Sequence, residues 1–258
     1  MELFGITERS FEVFMLVFAR VSMVIAVVPI FGSTNVPVPI KIGLSLFISL
    51  ITYTIIDQSV VPQNLPLLGL LILILKEGIV GLMFGFVTGI MFFAIQFAGH
   101  FISFQMGFAM VQLIDPQSQE RVPIIGQFYF IMTILIFLLI NGHHLVLSAL
   151  GESFNLVPIG SGMINKELTD SLILLGGKVF TLAMKISSPI LATLYLTDVM
   201  MGIIARTVPQ MNIFFVSLPL KISIGMILII VTLSSFPWLI GTLVVEMGEN
   251  LNILLRLL

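Results

Sequence analysis

The chain alternates long apolar runs with short polar interruptions. Apolar segments cover 10–31, 40–56, 65–98, 99–114, 122–141, 168–205 and 213–245, and 143–157 reads as a shorter amphipathic piece. A helix crossing ~30 Å of hydrocarbon needs about 20 apolar residues, so most of these segments predict membrane-spanning helices. The runs are continuous rather than alternating, which argues against barrel strands. Segments 65–98 and 168–205 exceed one simple span. The second is expected to break at Gly176-Gly177 and at Ser187-Ser188-Pro189, because proline removes a backbone donor and kinks a helix. Pro29, Pro123, Pro209, Pro219 and Pro237 punctuate the other segments. The connections 32–39, 57–66, 115–122, 158–167 and 206–212 are too short to hold a further domain, so residues 1–258 read as one all-α membrane domain without tandem repeats.

Composition agrees with the pattern. The chain is 58% hydrophobic and 9% charged, against about 25% charged in a soluble domain. A net charge of −2 gives no footprint for nucleic acid. The absence of cysteine removes disulfides, thiolate metal sites and cysteine catalysis. Glu2 and Glu8 in place of a basic leader, ahead of an overlong apolar run, do not match a secretory signal peptide.

The charges that remain stand in unusual places. Arg20, the pair Lys76-Glu77, Lys178, Lys185, Asp198 and Lys221 lie inside or against apolar runs. A charge facing lipid at mid-bilayer costs at least about 2.5–3.5 kcal/mol, so such groups must pair, face protein or reach water. Either they pair within one bundle, or many helices avoid lipid by packing in a larger assembly. With so few basic residues outside the runs, the positive-inside rule has almost nothing to count. Gly78, Gly81, Gly85 and Gly89 line one face of a helix and permit close backbone approach, within the chain or against a partner subunit.

Catalytic arrangements do not stand out. His143-His144 follow Asn141-Gly142 and read as a helix end and interfacial turn; adjacent histidines point about 100° apart and do not make the i, i+4 pair of a helical zinc site. No phosphate-binding or dinucleotide fingerprint is present, and no cofactor is implied. Asp198 and Lys185 admit two readings, a structural pair or the ion-coupled groups of a small secondary transporter. The stretch SFQMGFAMVQLIDPQSQERVP, residues 103–123, by itself reads as a helix end and turn between two spans.

Several blocks in order resemble one family. They are Ala19-Arg20-Val21 with Pro29-Ile30-Phe31-Gly32, Val38-Pro39 with Lys41-Ile42-Gly43-Leu44, and Glu77 with Val80-Gly81-Leu82 and Gly85-Phe86. Ala98-Gly99 with Gln105-Met106-Gly107, Asp115-Pro116 and Asn141-Gly142-His143 follow, then Pro158-Ile159-Gly160, Pro209-Gln210-Met211-Asn212 and Leu218-Pro219-Leu220-Lys221. Over nearly the whole chain they resemble the FliR family, the R subunit of the flagellar type III export gate, related to SpaR and YscT of virulence injectisomes.

The resemblance implies a non-enzymatic channel subunit of the bacterial inner membrane and flagellar basal body. Such a subunit assembles with the P and Q subunits (FliP and FliQ) and FlhB, in contact with membrane lipid, and passes unfolded flagellar proteins. It implies bent helical hairpins, with a P-like part at about 1–169 and a Q-like hairpin at about 170–258. Gln210 and Asn212 with Lys221 match the Q subunit's block, whereas Ile213 departs from the acidic residue often found there. Arg20, Lys76, Glu77, Gly81, Gly85, Lys185 and Asp198 become subunit-packing or buried-charge positions. The family's pore plug falls on residues 105–117: Gln105, Met106, Gly107, Phe108, Ala109, Met110, Val111, Gln112, Leu113, Asp115 and Pro116. Met106, Phe108, Met110, Val111 and Leu113 would form its apolar face. Methionine adapts its shape, Gly107 permits an unusual backbone angle, and irregular backbone at membrane depth is tolerated only inside protein or against a cavity.

Overall fold

A computed structural model describes residues 8–33, 35–56, 66–108, 124–210 and 212–258. Among them the chain forms only helices: α1 Glu8–Val27, α2 Pro29–Gly32, α3 Val38–Ile55, α4 Leu67–Gln105, α5 Ile124–Leu139, α6 Gly142–Leu156, α7 Lys166–Thr207, α8 Ile213–Leu233 and α9 Phe236–Leu257. Six of these are long and apolar enough to cross a membrane: α1, α3, α4, α7, α8 and α9. A seventh span results if α5 and α6 form one broken crossing. The polytopic helical reading therefore holds.

Three expected divisions do not occur. α4, 39 residues long, runs past Gly99 to Gln105, and α7, 42 residues long, runs through both Gly176-Gly177 and Pro189. The reason at Pro189 is local. A proline deprives the carbonyl four residues earlier, here Lys185, of its amide partner. The Ser188 hydroxyl donates to that same carbonyl at 2.9 Å. Ser187 donates to the Ala183 carbonyl at 2.8 Å one position earlier. The Ser-Ser-Pro sequence thus carries its own substitute donor, as helices in apolar surroundings require. In the other direction, the run 213–245 divides at Ser234-Ser235, where α8 ends and α9 begins with Pro237 in its first turn, a position that has no amide partner to lose.

The chain forms two compact units that are not consecutive in sequence. One comprises 1–90, 141–175 and 244–258; the other comprises 91–140 and 176–243. The expected division near residue 170 falls inside α7.

In the first unit, α1 packs on α3 and presents Val13, Leu16, Val17, Val21, Val24 and Ile25, all buried, at helical spacing. α4 crosses α1 at close range through its glycine face. A Cβ on Gly81 would stand 2.3 Å from the Arg20 carbonyl oxygen, and one on Gly85 would stand 2.6 Å from Val27 Cβ. Gly81 and Gly85 are therefore occupied within the chain. The connection before α7 is tied to the chain's end: Asn165 Oδ1 accepts from the Leu168 amide at 2.7 Å as an N-cap, and its Nδ2 donates to the Leu257 carbonyl at 3.1 Å.

The polar centre of this unit is Arg20, 1% exposed. Its Nε donates to Glu77 Oε2 at 2.6 Å, Nη1 to the Ser153 carbonyl at 3.0 Å, and Nη2 to the Val157 carbonyl at 3.0 Å. The guanidinium also lies 4.2 Å from the centroid of the Phe154 ring. Glu77, likewise 1% exposed, accepts from the Gly160 amide at 2.8 Å through Oε1. One ion pair thus links α1, α4, the end of α6 and the turn that follows it. The cation shares the Ser153 carbonyl with the Val157 amide and meets the Val157 carbonyl just past the last turn of α6, a helix end where positive charge is favoured.

In the second unit aromatic contacts dominate. Phe92 of α4 meets Phe137 of α5 edge-on with centroids 5.3 Å apart, and Tyr129 of α5 lies 5.0 Å from Phe236 of α9. Such pairs add to burial without requiring polar partners.

Arg20→Met should strand the Glu77 carboxylate in an apolar interior and destabilise the protein by about 3–5 kcal/mol, whereas the double change Arg20→Met with Glu77→Met should recover most of that loss. Thermal unfolding in detergent checks this; additive losses in the double variant would contradict it.

Candidate functional site at the end of helix α4

The chain stops being helical at Met106 through a defined motif. The Phe108 amide donates back to the Ser103 carbonyl at 3.2 Å, and the Gly107 amide donates to the Phe104 carbonyl at 3.0 Å. These two reversed bonds are those of a Schellman ending, which needs its penultimate residue in the left-handed region. Gly107 supplies it at φ +90°. A side chain there would be strained, and its Cβ would also lie 3.1 Å from Leu218 Cδ1. α4 is therefore terminated by its own sequence immediately before residues 109–123.

Two other helices, α7 and α8, meet this ending. Met106 is fully buried and lies across Gly225 of α8, where an added Cβ would come within 2.7 Å of Met106 Cε, Cγ and Sδ. Gln105 Nε2 donates to Asp198 Oδ2 of α7 at 2.8 Å. The other carboxylate oxygen, Asp198 Oδ1, forms an ion pair with Lys221 Nζ of α8. Gln105 has no charge to lose, so its role is geometric: it fixes the last turn of α4 to an ion pair between α7 and α8. Asp198 meets an amide donor and an ammonium with its two oxygens, which lets a carboxylate persist in an apolar setting. The arrangement has no nucleophile beside a base, and among the described residues no cluster of His, Asp and Glu is able to hold a metal ion.

The sequence-predicted residues divide as follows. Gln105 and Met106 join Asp198 and Lys221 at the base of the segment, with Gly107 and Phe108 at the exit from the helix. Ala109, Met110, Val111, Gln112, Leu113, Asp115 and Pro116 lie outside the described residues. Lys185 is exposed and stands on α7 thirteen positions before Asp198, about 20 Å along the axis, so the two do not pair. Arg20 and Glu77 belong to the network in the first unit, and Lys76, their neighbour in sequence, is half-buried outside it. Gln210 and Asn212 are exposed at the α7–α8 connection. Sequence reasoning missed Gly225 and Leu218 as the seat of this helix ending. A lone glycine in an apolar run, without the spacing of the α4 glycines, gives no such signal.

Residues 11–247 match the family described as Bacterial export proteins, family 1. Among similar proteins, the flagellar biosynthetic protein FliR of Bacillus subtilis (strain 168) is 39% identical over 228 residues, covering 87% of each chain. FliR of Escherichia coli (strain K12) is 28% identical over 208 residues, 80% of this chain and 78% of that one. FliR of Aquifex aeolicus (strain VF5) is 27% identical over 229 residues, 88% of each.

Gly225→Val should force Met106 from its seat and destabilise the protein by about 1–3 kcal/mol. Asp198→Asn should cost less than about 1 kcal/mol, because the Asp198 side chain is 40% exposed and its pairing is correspondingly screened. Thermal unfolding of both variants in detergent measures the difference, and a reversed order would contradict the assignment of Met106 as the stronger anchor.

Proposed function

Because the chain belongs to family 1 of the bacterial export proteins, we propose that it is the R-type subunit of a flagellar type III export gate. In this reading it assembles with the P-type and Q-type subunits FliP and FliQ, and with FlhB, in the inner membrane at the flagellar basal body. Residues 1–169 and 170–258 would take the P-like and Q-like positions. The channel so formed would pass unfolded flagellar proteins. The segment 105–117 would plug it.

The observation that carries the plug assignment is the anchored ending of α4. The Schellman turn at Gly107, the buried Met106 and the Gln105–Asp198 hydrogen bond give residues 109–117 a defined point of departure. A seal must be held at its base and adaptable beyond it. The base is supplied by these three contacts, and adaptability by Met110 with Val111 and Leu113, whose chemistry suits a surface that reshapes around different substrates. A subunit of this kind has no need of a specific pocket, since its cargo is extended polypeptide of varied sequence. The coupled-transporter reading finds no support in the pairing of Asp198 with Lys221 and its distance from Lys185.

Two measurements test the reading. Co-expression with the P-type and Q-type subunits should yield one complex containing all three by native mass spectrometry; a lone homodimer that takes up small solutes would contradict it. Deletion of residues 107–114 should leave that complex assembled and increase ion leakage in a membrane-potential assay, and unchanged permeability would reject the plug.

A further inference from the structure

Lys76 is a charge in the first unit that has no counterpart among the described residues. It is half-buried on α4, and among the described residues no carboxylate, hydrogen-bond acceptor or ring pairs with it. Its neighbour Glu77 faces away, committed to Arg20 and to the Gly160 amide. Lys76 borders a cleft of about 340 Å³. Val80 and Met83 of α4 form one wall, and Met163 and Ile164 from the turn before α7 form the other. Met163 and Ile164 are 70% and 65% exposed, so the cleft's outer lip is uncovered apolar surface.

The surface beside the cleft has a helical partner's spacing. Leu68, Leu71, Leu75, Ile79 and Leu82 are all exposed and are separated by three, four, four and three residues. That spacing makes a straight seam on α4 of the kind that receives a second helix. The nine residues from Leu67 to Leu75 contain no polar side chain, so Lys76 stands about 14 Å along α4 from its start in wholly apolar sequence. A neighbouring apolar helix that carries a carboxylate covers the seam and supplies the counter-charge in one contact, which a lipid phosphate does not.

We propose that the α4 seam and the cleft at Lys76 receive an apolar helix of a partner subunit that presents an Asp or Glu side chain to the Lys76 ammonium. The proposal rests on the export-gate reading for the existence of membrane partners, and adds the face and the charge by which one of them is recognised. The paired charges would repeat between chains what Arg20 and Glu77 do within one: a desolvated ion pair that sets register along an otherwise featureless apolar contact. It also predicts selectivity, since a helix without the carboxylate leaves Lys76 buried and unpaired.

The test uses the full chain co-expressed with P-type and Q-type subunits. Lys76→Arg should retain the complex. Lys76→Met and Lys76→Glu should reduce its recovery at least about tenfold, while both variants of the isolated chain keep the wild-type melting temperature. A photoreactive benzoylphenylalanine in place of Ile79 should, in flagellated cells, crosslink to a membrane-protein peptide carrying Asp or Glu within an apolar run, and changing that residue to Lys should rescue Lys76→Glu. Wild-type chain that fails to co-purify would count against the export-gate reading, with the crosslink still judging the Lys76 face. Undiminished recovery of both Lys76→Met and Lys76→Glu, or a crosslinked adduct bearing phospholipid mass alone, would overturn the proposal.

Discussion

The first unit depends on one ion pair between residues 57 positions apart in sequence. In a chain this apolar, association of helices has little directional content of its own: one leucine face packs about as well as another, and lipid competes for both. A charge changes that. Arg20 has five donors, and it is stable in the interior only where a carboxylate, carbonyls and a ring face all arrive together. α1, α4, the end of α6 and the turn at Gly160 satisfy it in a single relative arrangement. Slippage of α4 by one turn would separate Arg20 from Glu77. The close approach at Gly81 is the steric half of the same constraint, since only a residue without a side chain lets the α4 backbone come so near the Arg20 carbonyl.

Asp198 follows the same logic with a different weight. It also holds a cation and a neutral donor, but it is 40% exposed, so water takes part of the work and the pair contributes less to stability. Its consequence is positional. Gln105 connects the last turn of α4 to that pair, and Met106 seats the following residue against Gly225. Lys76 completes the series. It is a charge among apolar neighbours for which this chain, in its described residues, supplies no counterpart. A fully satisfied arginine, a half-exposed aspartate and a lysine unpaired among the described residues thus mark a structural staple, a positioned helix end and the proposed recognition point.

Part of this was legible residue by residue. The length and continuity of the apolar runs specified helices, and the cost of solitary charges specified that Arg20, Glu77, Asp198 and Lys221 needed partners. The glycine spacing on α4 specified a close crossing, though not whether the crossing helix belonged to this chain. α7 runs unbroken through Pro189 because Ser188 replaces the lost donor at the Lys185 carbonyl, so the effect of a proline is not legible without its neighbours. Composition marks 103–123 as a helix end and turn without locating the end, and Gly225 and Leu218, which seat it, lie more than a hundred residues away in an unremarkable apolar run.

The sequence by itself determined which segments are helical, that they suit a membrane, and which polar groups required satisfaction, because period, length and desolvation cost are properties of a residue and its near neighbours. Only the tertiary structure decided that Arg20 takes Glu77 with the end of α6, that Asp198 takes Lys221 rather than Lys185, and that Lys76 has no partner among the described residues of its unit. Pairing depends on the distance between atoms of remote segments. In an apolar chain many pairings are chemically equivalent until packing brings one set of atoms within hydrogen-bond range.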